Sequence, residues 1–122
     1  MPLVTITLRS GFSEQEKQAI SEAIHRSLVE EIGTPDADFN HRILVLDAAH
    51  WHLSAGRSER FVCVEIRMYP GRTAEMKRSL FRAIAQKMQG MGIAPDDVFV
   101  VIDEPPRENW SVAVADMERK PS

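Results

Sequence analysis

The sequence predicts an α+β (α/β) fold, a tandem duplication of a β-α-β unit that forms one four-stranded mixed sheet with two helices on one face. Strand, helix and strand patterns occur twice, so the 122 residues are expected to form a single domain with pseudo-repeats at about 2–47 and 61–103 and an insertion at 48–60. The residues that punctuate the two units recur 60 positions apart: Gly11 and Gly71, Ser13 and Thr73, Pro35 and Pro95.

In the first unit, residues 3–8 alternate apolar and polar side chains, which is typical of a strand with one buried face. Ser13 followed by Glu16 forms a capping-box pattern and predicts the start of a helix, which Gly33 should end. Residues 43–46 form a second, wholly apolar strand pattern. One apolar stripe follows the helix at four-residue spacing: Ile20, Ile24, Leu28 and Ile32.

The second unit repeats this plan with a strand pattern at 61–66, an N-cap at Thr73, a helix stop at Gly92 and an apolar strand at 98–102. Its helix carries an equivalent stripe: Met76, Leu80, Ile84 and Met88. Each unit should pair its strands in parallel through a right-handed crossover. Two helices can cover only one face of the sheet, but the last strand of each unit, at 43–46 and 98–102, is apolar on both faces. We therefore expect another subunit to cover the second face.

Composition argues against several classes of function. A net charge of −3 provides no electrostatic footprint for nucleic acid or an anionic membrane, and no apolar run approaches the ~20 residues that span a bilayer. The first residues lack a basic and an apolar signal region, and the lone Cys63 cannot form an intrachain disulfide. We therefore expect a cytoplasmic protein.

Several segments resemble the tautomerase superfamily, which includes 4-oxalocrotonate tautomerase. They are the Met1-Pro2 start, Pro70-Gly71-Arg72-Thr73, Pro95-Asp96-Asp97-Val98 and Glu108-Asn109-Trp110. The doubled length is similar to fused members such as malonate semialdehyde decarboxylase and the cis-3-chloroacrylic acid dehalogenases. The resemblance implies the tautomerase fold, a homotrimer, no cofactor, and an active site around an N-terminal proline that removal of Met1 exposes.

The resemblance also implies roles for individual residues. Pro2 matches the catalytic proline, and Arg72 matches an arginine that holds a substrate carboxylate. Arg42 matches the second carboxylate-binding arginine, and Trp110 matches an aromatic wall of the site. Asp38 matches, by its spacing after Pro35, the aspartate that activates water in the decarboxylase.

Two further candidates lie just before the second helix. The decarboxylase and dehalogenases set two arginines together there; in this chain Tyr69 or Pro70 occupies the first position, and Arg67 lies nearby.

Other interpretations stay open for some candidates. Arg72 would also fit a solvated arginine paired with Glu75, Trp110 a core or interface residue, and Asp38 a cap at the entry to a strand.

These residues favour a tautomerase in which neutral Pro2 moves a proton on a 2-hydroxydienoate or an arylenolpyruvate. The alternatives are a hydratase or decarboxylase, with Pro2 as acid and Asp38 activating water, and a non-catalytic trimeric binding protein. We expect no metal, because the pair His50 and His52 has no third ligand in register. We expect His25, on the first helix, to lie at the surface or in a groove.

Overall fold

The computed structural model describes residues 2–114. Its main elements follow the order β1 (Leu3–Arg9), α1 (Glu14–Ile32), β2 (His41–Leu46), β3 (Val62–Arg67), α2 (Ala74–Gln89) and β4 (Val98–Asp103). Short 3₁₀ turns occur at Ala48–His50, Pro95–Asp97 and Arg107–Asn109. The predicted four-stranded mixed sheet with two helices is confirmed.

The four strands form one sheet in the order β2-β1-β3-β4. β1 pairs with β2 in parallel and β3 pairs with β4 in parallel, as a β-α-β crossover requires. The two units meet where β1 and β3 run antiparallel, with Leu3 opposite Arg67 and Leu8 opposite Val62. This central pairing brings the start of β1 beside the end of β3.

Both helices begin at the predicted caps. Ser13 Oγ accepts the Glu16 N–H at 3.1 Å while Glu16 Oε1 accepts the Ser13 N–H at 2.9 Å, which completes the capping box. Thr73 Oγ1 accepts the Met76 N–H at 3.1 Å at the start of α2. α1 ends at Ile32, and the capping residue that follows is Gly33, whose φ of 79° lies in the left-handed region. α2 ends at Gln89, three residues before the predicted stop, with Gly92 in the turn that follows.

The core lies between the helices and one face of the sheet. Alternate β1 residues point into it and are fully buried, and the helix stripes face them: Val4, Ile6 and Leu8 against Ile20, Ile24, Leu28, Leu80, Ile84 and Met88. The opposite surface of the sheet, here the open face, has no layer over it within residues 2–114. It carries the exposed apolar side chains Leu44, Phe99 and Val101.

Residues 48–60 form a loop with one 3₁₀ turn, and several side-chain contacts hold it in place, two of which lie at one end of the sheet. Arg9 Nε donates to Trp51 O at 3.0 Å. The buried Asp97 carboxylate accepts the Ser58 N–H at 2.7 Å and the Ser58 hydroxyl at 2.6 Å. These two contacts lie at the end of the sheet where β1 finishes and β4 begins, so the loop lies at the end opposite Pro2. No helix within residues 2–114 is long and apolar enough to cross a membrane.

Candidate active site

Pro2 lies beside the segment that joins β3 to α2, and strand register is the reason. Since Leu3 pairs with Arg67 in antiparallel fashion, the residue before Leu3 meets the residues after Arg67. The buried Pro2 and the chain at Met68 and Tyr69 therefore line one small cavity of about 40 Å³, here the Pro2 pocket. Within residues 2–114, the lining consists of Pro2, Ile32, Thr34, Pro35, Met68, Tyr69 and Arg72.

Arg72 enters this pocket from the turn before α2. Gly71, with a φ of 123°, makes a turn that few other residues would tolerate, and Thr73 caps the helix immediately afterwards. Arg72 Nη2 donates to the carbonyl of Ile32, the last residue of α1, at 3.4 Å. Among the ion pairs within residues 2–114 none includes Arg72, so a pairing with Glu75 is not observed. The half-buried guanidinium keeps N–H groups for an anion.

An aromatic wall extends the pocket on the Tyr69 side. The rings of Tyr69 and Trp110 meet edge to face, with centroids 5.2 Å apart. The indole N–H of Trp110 donates to Pro105 O at 3.0 Å, which sets the orientation of its ring. Arg107 lies over the other ring, with Cζ 4.4 Å from the Tyr69 centroid. The structure thus brings together Pro2, Tyr69, Arg72 and Trp110 of the predicted site.

Arg42 and Arg67 lie on the open face, away from the Pro2 pocket. Strand alternation decides this, because Arg42 pairs in register with Thr5, which points to the open face. Arg42 Nη2 donates to Thr5 Oγ1 at 3.2 Å, and Arg67 Nε lies 3.6 Å from Asp103 Oδ2. Both arginines line a separate cavity of about 190 Å³ together with Leu3, Thr5 and Glu65. In a single chain, this cavity and the Pro2 pocket lie on different faces.

Asp38 lies in the α1–β2 segment, residues 33–40. Its backbone N–H donates to Pro35 O at 2.9 Å, so it ends a tight turn. Two residues of this segment, Thr34 and Pro35, line the Pro2 pocket, whereas Asp38 is not among the lining residues. The structure therefore does not bring Asp38 into the Pro2 pocket.

His25 is not at the surface or in a groove, and that expectation is wrong. The side chain is 1% exposed because the α1–β2 segment folds back over this face of α1. Burial is the main cause that lowers the pKa of His25, and the Arg26 guanidinium adds to it. Burial likewise lowers the pKa of the neighbouring His41 to about 4. Both imidazoles are therefore neutral near pH 7.

Sequence reasoning missed three residues beside the pocket. Thr34 and Met68 have no sequence signal, because pairing between the two units and the return of the chain after α1 place them there. Arg107 could have been found. It stands three residues before Trp110 in a short 3₁₀ turn, a spacing that puts two side chains on one side.

Comparison with known proteins identifies the family. A family model described as tautomerase enzyme matches residues 38–113, and another with the same description matches residues 2–54. The probable tautomerase YusQ of Bacillus subtilis (strain 168) is 32% identical over 117 residues, which cover 91% of this chain and 92% of that protein.

Solved structures give the same result. FG41 malonate semialdehyde decarboxylase, inhibited by 3-bromopropiolate, is 32% identical with a TM-score of 0.84, over 91% of this chain and 88% of that one. The Q0 fused 4-OT, a symmetric trimer, is 28% identical with a TM-score of 0.80, over 92% of each chain. The chain therefore belongs to the tautomerase family of enzymes.

Proposed function

We propose that this enzyme interconverts the keto and enol forms of a small carboxylate substrate, a 2-hydroxydienoate or an arylenolpyruvate, with the Pro2 amine as general base. The observation that carries the proposal is the convergence of Pro2, Arg72 and Tyr69 on one pocket. Removal of Met1 would expose a secondary amine in a fixed ring. Burial and a nearby guanidinium both disfavour the protonated amine, so its neutral, basic form is favoured.

The pocket residues divide the work of binding and proton transfer. Arg72 would hold the substrate carboxylate through its planar guanidinium, beside the N–H groups at the start of α2. That contact would draw electron density toward the carboxylate end as the enolate forms. Pro2 would take a proton from the enol hydroxyl or the carbon next to the carbonyl and return it at the other position. Tyr69 and Trp110 would pack against the unsaturated or aromatic part of the substrate.

The same proposal includes a homotrimer and a cytoplasmic location. Leu44, Phe99 and Val101 are apolar side chains exposed on the open face, which is typical of a surface that a partner covers. A cavity of about 40 Å³ holds roughly three water molecules, so a single chain offers room for a carboxylate but not for a whole substrate. The similar Q0 fused 4-OT is a symmetric trimer. The single free thiol, Cys63, is what we expect in a reducing compartment.

One observation favours a second candidate, decarboxylation or hydration of a 3-oxo acid. FG41 malonate semialdehyde decarboxylase is as similar to this chain in sequence as YusQ is, at 32% identity. In this reading Pro2 stays protonated and acts as an acid, and Asp38 activates water. The two candidates differ in the protonation state of one amine.

Replacement of Pro2 by alanine tests the proposal. Pro2→Ala keeps an N-terminal amine but loses the ring, and we expect kcat for enol–keto conversion of an arylenolpyruvate to fall about 10²–10⁴-fold. Pro95→Ala is the matched control, since Pro95 lies at the opposite end of the sheet. Mass spectrometry must first show that Met1 is absent, because a retained Met1 would remove every mechanism that uses a free Pro2 amine.

The pH profile separates the candidates. If Pro2 acts as a general base, kcat/KM should rise with pH to a plateau, and the rise should occur near or below neutral pH. A rate that falls as pH rises would favour Pro2 as an acid and the decarboxylase or hydratase. If Pro2→Ala keeps full activity, or if the unmodified protein converts neither enols nor 3-oxo acids, the proposal fails and a binding role on this scaffold replaces it.

A further inference from the structure

A second polar cluster lies behind the α1–β2 segment, outside the Pro2 pocket. His25 Nε2 lies 3.0 Å from the Asp36 carbonyl oxygen and 3.2 Å from Asp36 Oδ1. The imidazole also stacks on Phe39, with ring centroids 4.1 Å apart and planes inclined by 19°. One buried side chain of α1 thus contacts the segment on both sides of Asp38.

His41 holds the far end of the same segment. Its Nδ1 lies 2.9 Å from Ser21 Oγ on α1, and its ring lies 4.6 Å from the ring of Phe39. The His25 and His41 rings are 6.0 Å apart in an edge-to-face arrangement. Two imidazoles from different elements therefore contact Phe39, whose ring stays partly exposed, and both bind the segment to α1.

The hydrogen bonds assign the protons of His25. A backbone carbonyl only accepts, so His25 Nε2 must carry hydrogen and donate it to Asp36 O. His25 Nδ1 is then an acceptor, buried and without a partner within residues 2–114, and His41 Nε2 is buried and unpaired as well. A leucine at position 25 would fill the same space without an unsatisfied nitrogen. The imidazole therefore leaves one buried nitrogen unsatisfied, at a cost in stability, while its other nitrogen donates to Asp36 O.

Burial favours the neutral form of His25, and the charges around it act in both directions, since Arg26 lowers its pKa and Glu22 raises it. Glu22 and Arg26 face it from α1, Asp36 from the segment and His41 from β2. Arg26 pairs with the Asp36 carboxylate, and His25 Nε2 lies slightly closer to the Asp36 carbonyl oxygen, at 3.0 Å, than to Oδ1, at 3.2 Å. Burial and Arg26 both lower the pKa of His25, so the neutral ring dominates near pH 7.

We propose that His25 is a positioning residue for the active site, which holds the α1–β2 segment so that Thr34 and Pro35 close the Pro2 pocket. The proposal uses the hydrogen bond to Asp36 O and the stacking on Phe39 as its two points of attachment. His41 and Ser21 add a third at the end of the segment. The kinetic part of the proposal rests on the proposed function, and the part that concerns the segment does not.

Hydrogen exchange of the segment is the direct test. His25→Leu removes the donor and keeps the bulk, and we expect the amides of Thr34 and Asp38 to exchange about tenfold faster than in the unmodified protein. His25→Gln retains an N–H that can reach Asp36 O and should restore most of the protection. Ser27→Ala is the control. Ser27 is a buried polar residue of the same helix whose hydroxyl donates within α1, to Ala23 O.

Enzyme kinetics give the second readout. In His25→Leu we expect kcat to fall about tenfold while KM for the carboxylate stays within about twofold, because Arg72 is held by Ile32 O, before the segment begins. A merely destabilised but folded variant would keep both values at temperatures well below its Tm. His25→Gln should recover kcat.

Each outcome decides the proposal. Exchange at the unmodified rate in His25→Leu, equal loss of protection in His25→Leu and Ser27→Ala, or no rescue by His25→Gln would overturn it. If His25→Leu does not fold, His25→Asn, whose amide is too short to reach Asp36 O, takes its place in the same comparison. If the exchange results are as expected but the unmodified protein has no tautomerase activity, the positioning role stands and the proposed function fails.

Discussion

Replacing Arg72 with alanine tests whether the pocket before α2 binds a carboxylate. The guanidinium is half-buried, donates one long bond of 3.4 Å to Ile32 O, and forms no ion pair within residues 2–114. A bidentate charge-assisted contact with a substrate carboxylate would stabilise the transition state by about 2–4 kcal/mol. We therefore expect Arg72→Ala to lower kcat/KM by roughly 30- to 1,000-fold, with a higher KM and a lower kcat.

The effect on folding should be small by comparison. The bond to Ile32 O is long, and its loss should reduce the free energy of unfolding by about 0.5 kcal/mol. Arg72→Lys keeps the charge but not the planar guanidinium, and its kcat/KM should lie between those of the unmodified enzyme and Arg72→Ala. Arg82→Ala is the matched control, because Arg82 is an exposed arginine about 13 Å along α2 from its N-cap.

The assay follows the decay of enol absorbance of an arylenolpyruvate, with circular dichroism as the check on folding. Unchanged kcat/KM in folded Arg72→Ala would refute the reasoning and assign Arg72 to the solvated surface. A loss of equal size in Arg82→Ala would also refute it, because the effect would then follow total charge and not the pocket.

Three other predictions concern stability and assembly. Asp97→Ala should lower the free energy of unfolding by about 2–3 kcal/mol in urea titrations, because the buried carboxylate accepts two bonds from Ser58; a change below about 0.5 kcal/mol would contradict this. Sedimentation should give a mass of three times 13.8 kDa, and Phe99→Asp should shift this mass toward that of a single chain. An unmodified protein that is monomeric at micromolar concentration would contradict the predicted trimer. Burial lowers the pKa of His41 to about 4, against 6.5 for the unperturbed group, and it also lowers the pKa of His25. Between pH 4 and 6.5 the unfolded chain therefore binds more protons than the folded chain. The urea midpoint should therefore fall as pH drops from about 6.5 toward 4, and His41→Gln should weaken this dependence on pH. An unchanged pH dependence in His41→Gln would show that other groups cause it.

Local features of the fold could be predicted from the sequence because they depend on neighbours along the chain. The capping box at Ser13 needs only Glu16, three residues away, and the left-handed turn at Gly33 needs only a residue without a Cβ. Alternation in β1 predicts which of its side chains are buried, and Val4, Ile6 and Leu8 are fully buried as expected. The four-residue stripes on both helices face the core for the same reason.

For the active-site candidates, the sequence nominates the residues but the tertiary structure decides which of them meet. The resemblance in sequence nominated Pro2, Arg72 and Trp110, but their meeting depends on the antiparallel pairing of β1 with β3, which joins two different units. No periodicity within either unit specifies that pairing or its register. The same register places Arg42 and Arg67 on the open face, because side chains alternate across a strand.

His25 shows most clearly what only the tertiary structure decides. On the helix it lies one residue beyond the apolar stripe, next to Ile24, and sequence alone predicted a surface or groove position. The chain after Gly33 folds back across α1, so that Asp36 accepts its hydrogen bond and Phe39 covers its ring. The sequence by itself determined where the helices begin and which of their faces are apolar, and it nominated the candidate site residues. Contacts between segments distant in sequence decided which of those residues meet, since burial depends on the whole packed chain and hydrophobic pattern reports only the local element.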